Sequence, residues 1–470
     1  MRSDTFPGVR LKGSLLVSAF VLASLSVGAQ SPSRPLAEPT VSPQQLGCIW
    51  DAERVSPPLP PLVRHAEVQA RLLKVRGDTP GLFSLEEIGR SVEGRSINHL
   101  WFGNGPLHVL LWSQMHGDEA TATLALFDVF EYVRRHRTEE PVRTILRALT
   151  VHAVPMLNPD GAERFQRRNA QGIDINRDAL RLQTPEGRAL KALRDRLNPR
   201  LGFNLHNQNW QTSVGKAGKP ASISLLAVAY DEARSDNEGR VLAKKTCSII
   251  RDALEPMAEG QVARYDDEFE VRAFGDNVTK WGTPVVLIET GPWPGDHPDQ
   301  DLIRLNFVAI VTALDALATG RVELADPARY ESLPMNASDL FYLLVKNASL
   351  VIGADVPPFV ADVGIVVKRA VGEQEGRLQV KESFRIDDLG DLRVFNALET
   401  VDATGLTLAP LFEPGLKRGD TVKLPDWSSR RGGPVVEVGA PADLVLLEPA
   451  AEGMYRVVRV IRADGAAKQP

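Results

Sequence analysis

Between residues 63 and 322 the apolar positions fall into two alternating rhythms. Short, nearly continuous apolar runs occur at 107–112, 149–157, 201–205, 223–229 and 284–288. Runs of that length with β-branched content form strands buried on both faces. Between them, 120–133, 186–197, 238–254 and 302–317 repeat apolar residues at helical spacing. Strands alternating with helices predict an α/β domain over 63–325, with a mostly parallel or mixed sheet covered by helices on both faces. After Pro327 the texture changes. Short strand-like runs at 365–368, 421–424, 444–447 and 457–461, separated by Gly and Pro turns, predict a C-terminal β-rich domain over 331–470. The Pro- and Ser-rich stretch 30–62 reads as an extended lead-in.

The first 29 residues have a separate pattern. Arg2, Arg10 and Lys12 precede an apolar run at 15–25, and Val27-Gly28-Ala29 supplies small residues for cleavage. This predicts a secretory signal over 1–29, a mature chain starting at Gln30, and a periplasmic or extracellular location. The apolar run is shorter than the ~20 residues a membrane span needs, and no later stretch is long and apolar enough. No membrane partner is therefore expected once the signal is removed.

The length of 470 residues and 43% hydrophobic content allow a large core and two domains. A net charge of −5 argues against nucleic acid as a partner. The only cysteines are Cys48 and Cys247, with no Cys-x-x-Cys, so a cysteine-built metal site is excluded. Cys247 shares a helix face with Ala243, Ile250 and Leu254 and is expected to be buried and unpaired.

Candidate chemistry clusters at strand ends. His116 and Glu119 follow the run at 107–112, and His206 follows 201–205. Glu289 follows 284–288, and Asn158-Pro159-Asp160-Gly161 closes 149–157 as a turn. In open α/β sheets the carboxyl edge of the strands is where ligands bind. Two His and one Glu match a three-ligand zinc site with one position left open. Such a site needs a proton acceptor, and Glu289 is a carboxylate at the end of an apolar strand. The segment 167–178 gathers Arg167, Arg168, Asn169, Asn176 and Arg177. Arginine suits bidentate carboxylate binding. Asp174 and Asn176, two apart, share a direction if the segment is extended.

Taken in order, His-x-x-Glu, Asn-Pro-Asp-Gly, an Arg-rich Asn-Arg segment, His and Glu resemble the zinc carboxypeptidase family typified by carboxypeptidase A. The likeness runs over 83–317. It implies a mixed sheet of about eight strands and one Zn²⁺ per chain held by His116, Glu119 and His206. It implies that Asp174 orients His116, that Asn176 and Arg177 grip a substrate's terminal carboxylate, and that Arg167 polarises the scissile carbonyl. Glu289 would be the general base, and the substrate a peptide or protein C-terminus. Two departures bear on substrate choice: Asp178-Ala179 follow Asn176-Arg177, and Asn207-Gln208 follow His206. The family's capping tyrosine falls on Tyr265 by distance from Glu289, but near Val271 by the motif around 274–277. A zinc amidase acting on cell-wall peptide stems or acylated amino acids, and a non-catalytic binding module, are the alternatives. Residues 439–447 are similar to a β-sandwich segment that accompanies amidohydrolase barrels, which suggests an accessory role for the last domain.

Overall fold

The computed structural model describes residues 38–57, 62–216, 218–295, 297–352, 356–374, 376–425 and 436–464. The expected signal and its cleavage point lie outside these residues.

The lead-in is not extended where it is described. Pro43–Glu53 forms helix α1. Ser42 caps it, accepting from the Gln45 N–H at 3.2 Å, while Gln45 Oε1 accepts from the Ser42 N–H at 2.9 Å. This capping box, with Pro43 at the first helical position, turns a proline-rich stretch into a helix start. Trp50 then anchors α1 by donating from Nε1 to the buried Asp128 at 2.7 Å. Helix α2 (His65–Asp78) follows.

The main sheet has eight strands. They are β1 (Phe83–Arg90), β2 (Ser96–Phe102), β3 (Leu107–Ser113), β4 (Leu149–Val154), β5 (Leu201–Asn207), β7 (Ile223–Ala227), β8 (Val262–Arg264) and β9 (Val285–Thr290). A short β6 (Ser213–Val214) lies outside it. The order is β1-β2-β4-β3-β5-β9-β7-β8. Strands β4, β3, β5 and β9 run parallel in the centre, as do β7 and β8. Pairings β1–β2, β2–β4 and β7–β9 are antiparallel, so the sheet is mixed.

Connecting helices are α3 (Thr121–Arg135), α4 (Glu140–Ala148), α5 (Pro159–Arg164), α6 (Pro185–Leu197), α7 (Glu238–Leu254), α8 (Phe274–Lys280) and α9 (Pro298–Ala318). Alternation along the strands divides the core in two. Val109, Phe203, Ile223 and Ile288 face one layer with residues of α3, α7 and α9, among them Cys247. Leu110, Leu226, Val285 and Leu287 face the other with residues of α6 and α8. Cys247 is fully buried and Cys48 exposed, and both are free.

Helix α10 (Ala328–Glu331) and β10 (Asn336–Ala337) lead to the second sheet. Its strands are β11 (Leu340–Leu350), β12 (Phe359–Gln374), β13 (Arg377–Gly390), β14 (Asn396–Asp402), β15 (Thr407–Pro410), β16 (Thr421–Lys423), β17 (Leu444–Pro449) and β18 (Met454–Ile461). The order is β13-β12-β11-β15-β17-β18-β16, with β14 pairing β11. The expected strand at 365–368 is the middle of the long β12–β13 hairpin. Arg369 of β12 ties this sheet to helix α9: its guanidinium reaches both oxygens of Asp299 at 2.7 and 3.1 Å, and Glu382 Oε1 on β13 at 2.7 Å. Among the described residues no helix is long and apolar enough to cross a membrane.

Candidate metal centre and substrate cleft

Because β3, β4, β5 and β9 are parallel, their carboxyl ends share one edge of the sheet. His116 lies just past β3, while His206 and Glu289 are on the last turns of β5 and β9. The β5–β9 register pairs His206 with Glu289, so the two side chains leave the same face on neighbouring strands. That face is the one covered by α6 and α8.

The Asn-Pro-Asp-Gly segment is a capped helix start as well as a turn. Asn158 Oδ1 accepts from the Gly161 N–H at 2.9 Å, and Asn158 Nδ2 donates to the Arg167 carbonyl at 3.3 Å. The motif thus supports the arginine-bearing loop. It also interlocks with His-Gly-Asp-Glu. A Cβ on Gly117 would lie 2.0 Å from the Gly161 carbonyl carbon and 2.3 Å from the Ala162 nitrogen. Only a residue without a side chain lets these backbones approach so closely.

His116, Glu119 and His206 are buried and converge. Glu119 presents one oxygen to each histidine, at 2.7 Å from His116 Nδ1 and 2.7 Å from His206 Nδ1. The two Nδ1 atoms are 3.1 Å apart. His116 Nε2 meets Asp174 Oδ1 at 3.1 Å. An ionised Asp174 only accepts, so Nε2 carries the proton and Nδ1 of the neutral ring is a lone pair. Facing a carboxylate and a second imidazole nitrogen, Nδ1 is matched either by its own proton or by a cation at the centre. Burial opposes charge on His116, but Glu119 and Asp174 outweigh it and push the ring up to about 9. Burial likewise opposes charge on Glu119, yet both histidines hold its carboxyl well below the usual range. Burial lowers His206. A tetrahedral Zn²⁺ with ligands at about 2.0–2.1 Å would space two nitrogens about 3.3 Å apart. The donors present fit that ion.

Asp174 caps a 3-10 turn, Ile175–Arg177, so Asn176 lies in the turn and the two do not share one extended segment. Its Oδ1 also accepts from the Asn176 N–H at 2.9 Å, and its Oδ2 from Arg167 Nε at 2.9 Å. Burial opposes the Asp174 charge, but His116 and Arg167 hold its carboxyl well down. Arg167 in turn brings Nη1 to 3.2 Å from His116 Nδ1 and 3.6 Å from Glu119 Oε1. Asn176 Oδ1 accepts from the Phe274 N–H at 2.9 Å. This leaves its amide NH₂ as the group to meet a ligand. Arg177 lines the same cleft and is paired with Glu270, 3.2 Å away.

Glu289 Oε2 is buried with no hydrogen-bond partner among the described residues. Burial, reinforced by the charge of Glu119, pushes its carboxyl up to about 8. Tyr265 lines the cleft, whereas Val271 is exposed. The Glu289 charge, with burial added, pushes the Tyr265 hydroxyl up to about 12. Of the two positions that sequence spacing left open, Tyr265 is the one that lines the cleft. Below the metal ligands the cleft is walled by Leu226, Val228 and Leu287, with Asn204 and Asp276 among them. Asn204 Oδ1 is buried with no hydrogen-bond partner among the described residues. Asn204 is two residues before His206 on the same strand face, a parity signal the sequence does contain.

A family model described as zinc carboxypeptidase matches residues 68–247. That span includes every site residue above except those on or near α8 and β9. The catalytic chain of human carboxypeptidase N is 31% identical over 143 residues, covering 26% of this chain and 31% of that one. Carboxypeptidase E of Caenorhabditis elegans is 29% identical over 135 residues, covering 24% and 29%. The matched stretch thus spans under a third of these relatives' length. Among solved structures, a metallo-carboxypeptidase from Burkholderia cenocepacia is similar at 18% identity and a TM-score of 0.43, covering 53% of this chain and 69% of that one. One from Pseudomonas aeruginosa is similar at 19% and 0.43, covering 54% and 68%. Residues 68–247 of this chain are thus similar to the zinc carboxypeptidase family, and the matched stretch carries the His-Glu-His cluster with Arg167 and Arg177.

Proposed function

We propose that this chain is an exported, zinc-dependent carboxypeptidase that releases the C-terminal residue of peptides. The observation that carries the reading is the convergence of two imidazole Nδ1 atoms and a carboxylate in one cleft with Arg177 and with Glu289, whose buried Oε2 has no partner among the described residues. His116, Glu119 and His206 would hold the metal. Zn²⁺, when bound, supplies a Lewis acid and lowers the pKa of water.

The remaining work falls to side chains. Asn176 and Arg177 bind the terminal carboxylate and set the register of the peptide. Arg167 directs its guanidinium at the carbonyl oxygen of the scissile bond, where negative charge develops. Glu289 accepts a proton from the attacking water and returns it to the leaving amine. Burial opposes the ionised form that this step needs, and a cation held beside it would favour that form. Tyr265 closes over the cleft and excludes bulk water.

The test is amino-acid release by zinc-loaded protein from paired peptides with free and amidated C-termini. Release confined to the free acids is expected. Equal cleavage of both would sink the reading.

A further inference from the structure

The reaction above leaves one wall of the cleft unused. It comes from two places far apart in the chain: the loop after β5, with Gln208, Asn209 and Thr212, and the segment entering the second sheet, with Asn336 and Ser338. We propose that this wall binds the peptide main chain on the amino-terminal side of the scissile bond, and that the segment leading into the second sheet is therefore part of the substrate site. The proposal rests on the carboxypeptidase reading for its direction along the peptide.

Elimination gives the direction. Asn176 and Arg177 take the terminal carboxylate, the pocket of Leu226, Val228 and Leu287 takes the last side chain, and the metal centre takes the scissile bond. A longer peptide has only the polar wall left to run along. The wall's chemistry suits a main chain. Amides and hydroxyls offer donors and acceptors together, as a peptide backbone does, and carry no charge to select a side chain. Capacity is also free. Among the described residues nothing pairs with Asn336 Oδ1, Asn209 Nδ2 or Ser338 Oγ, and Asn207 Oδ1, on the same stretch, is buried without a partner.

The wall is also built to hold still. β10 pairs antiparallel with β6. The Gly215 N–H donates to the Met335 carbonyl at 2.8 Å, the Arg264 N–H to the Pro334 carbonyl at 2.8 Å, and the Leu340 N–H to the Gln211 carbonyl at 3.1 Å. Asn336 Nδ2 reaches Gln208 Oε1 at 3.4 Å. On the loop, Trp210 packs on the second sheet's core with the Arg369 guanidinium 4.3 Å from its ring centre, and Gln211 Nε2 donates to Asp387 at 3.1 Å. Fixed donors and acceptors bind a flexible peptide at lower entropic cost.

The experiment uses the full zinc-loaded chain and the double variant Asn336→Ala, Ser338→Ala. Substrates are an N-blocked dipeptide and an N-blocked pentapeptide with the same last two residues, and calorimetry follows binding of the N-blocked tetrapeptide product. The wild type should prefer the pentapeptide, and the double variant should lose about tenfold of that preference through KM, as two neutral hydrogen bonds would give. Its dipeptide kcat/KM should stay within about twofold. An unchanged preference, or equal loss on both substrates, overturns the proposal. Calorimetry separates it from the hydrolase reading. If the wild type cleaves neither substrate but binds the tetrapeptide more tightly than the variant does, the wall stands and the hydrolase reading falls. Equal tetrapeptide binding by both proteins removes the wall.

Discussion

Arg177 already holds a carboxylate, that of Glu270, with Nε 3.2 Å from Oε2. Glu270 is gripped from its other side by Arg272, through Nε at 3.1 Å and Nη2 at 3.0 Å. The Arg177 and Glu270 side chains are 37% and 32% exposed, and a pair so open to solvent contributes only ~0–1 kcal/mol. A substrate carboxylate can displace it. Glu270→Gln should therefore lower KM for free-acid peptides by about two- to fivefold without changing kcat. Arg177→Ala should raise KM by about 10–100-fold and bring free and amidated peptides to parity, because a charge-assisted contact is lost. A rise in KM for Glu270→Gln would mean that Glu270 positions Arg177 and does not compete for it.

Replacing either histidine should empty the centre. With His116→Ala or His206→Ala, two donors remain where the arrangement supplies three. Two protein ligands do not hold Zn²⁺ against water and chelators. Elemental analysis after gel filtration should find under a tenth of an equivalent, in place of about one. Full occupancy in both variants would place the metal elsewhere.

Glu289→Gln should keep metal and fold and lose about 10²–10⁴ in kcat. It should also alter stability in a pH-dependent way when the metal is removed. Glu289 titrates near 8 in the fold, against an ordinary value of 4.5. Between those values the folded chain keeps a proton that the unfolded chain has released. The residue's contribution is therefore complete below about 4.5 and lost as pH rises towards 8. Metal-free Glu289→Gln should match the wild type near pH 4 and exceed it increasingly up to pH 8 in denaturant unfolding. A gap that does not vary with pH would show that Glu289 is ionised throughout.

Gly117→Ala tests the interlock of the two motifs. The added methyl would fall within 2.0–2.6 Å of backbone atoms of Gly161, Ala162 and Gln166, none of which can swing aside. Overpacking of this kind costs about 1–3 kcal/mol or forces a backbone shift. The shift would move His116 and Arg167 together, so kcat should fall and zinc should come off more readily. Unchanged metal affinity and activity would mean that the loop relaxes elsewhere.

The His-Glu-His cluster was legible because its residues follow apolar strands, and a polar residue at a strand's carboxyl end is visible without a structure. His116, His206 and Glu289 all stand out in this way. The first hairpin, β1–β2, was not, because β1 carries Glu86, Glu87 and Arg90 on an edge strand and lacks an apolar run. Helix α1 was hidden behind prolines that read as breakers until Ser42 and Gln45 are recognised as a cap. The Glu270 contact to Arg177, and the part played by Asn336 and Ser338, depend on chain crossings that no local spacing encodes. Tyr265 was ambiguous for a related reason: 265–273 is irregular, so counting residues back from Glu289 does not fix a position in space.

The β3–β5 pairing has a thermodynamic consequence. Val109 lies beside Leu201 and Ser113 beside Leu205, and this contact alone brings His206 to His116 and Glu119 across some ninety residues of chain. Until the sheet has assembled there is no site, so the ion binds the native state and not the unfolded chain. By linkage, zinc at a thousand times its dissociation constant would add about 4 kcal/mol to the stability of the whole domain. Metal supply would then govern how long the protein survives as well as whether it turns over.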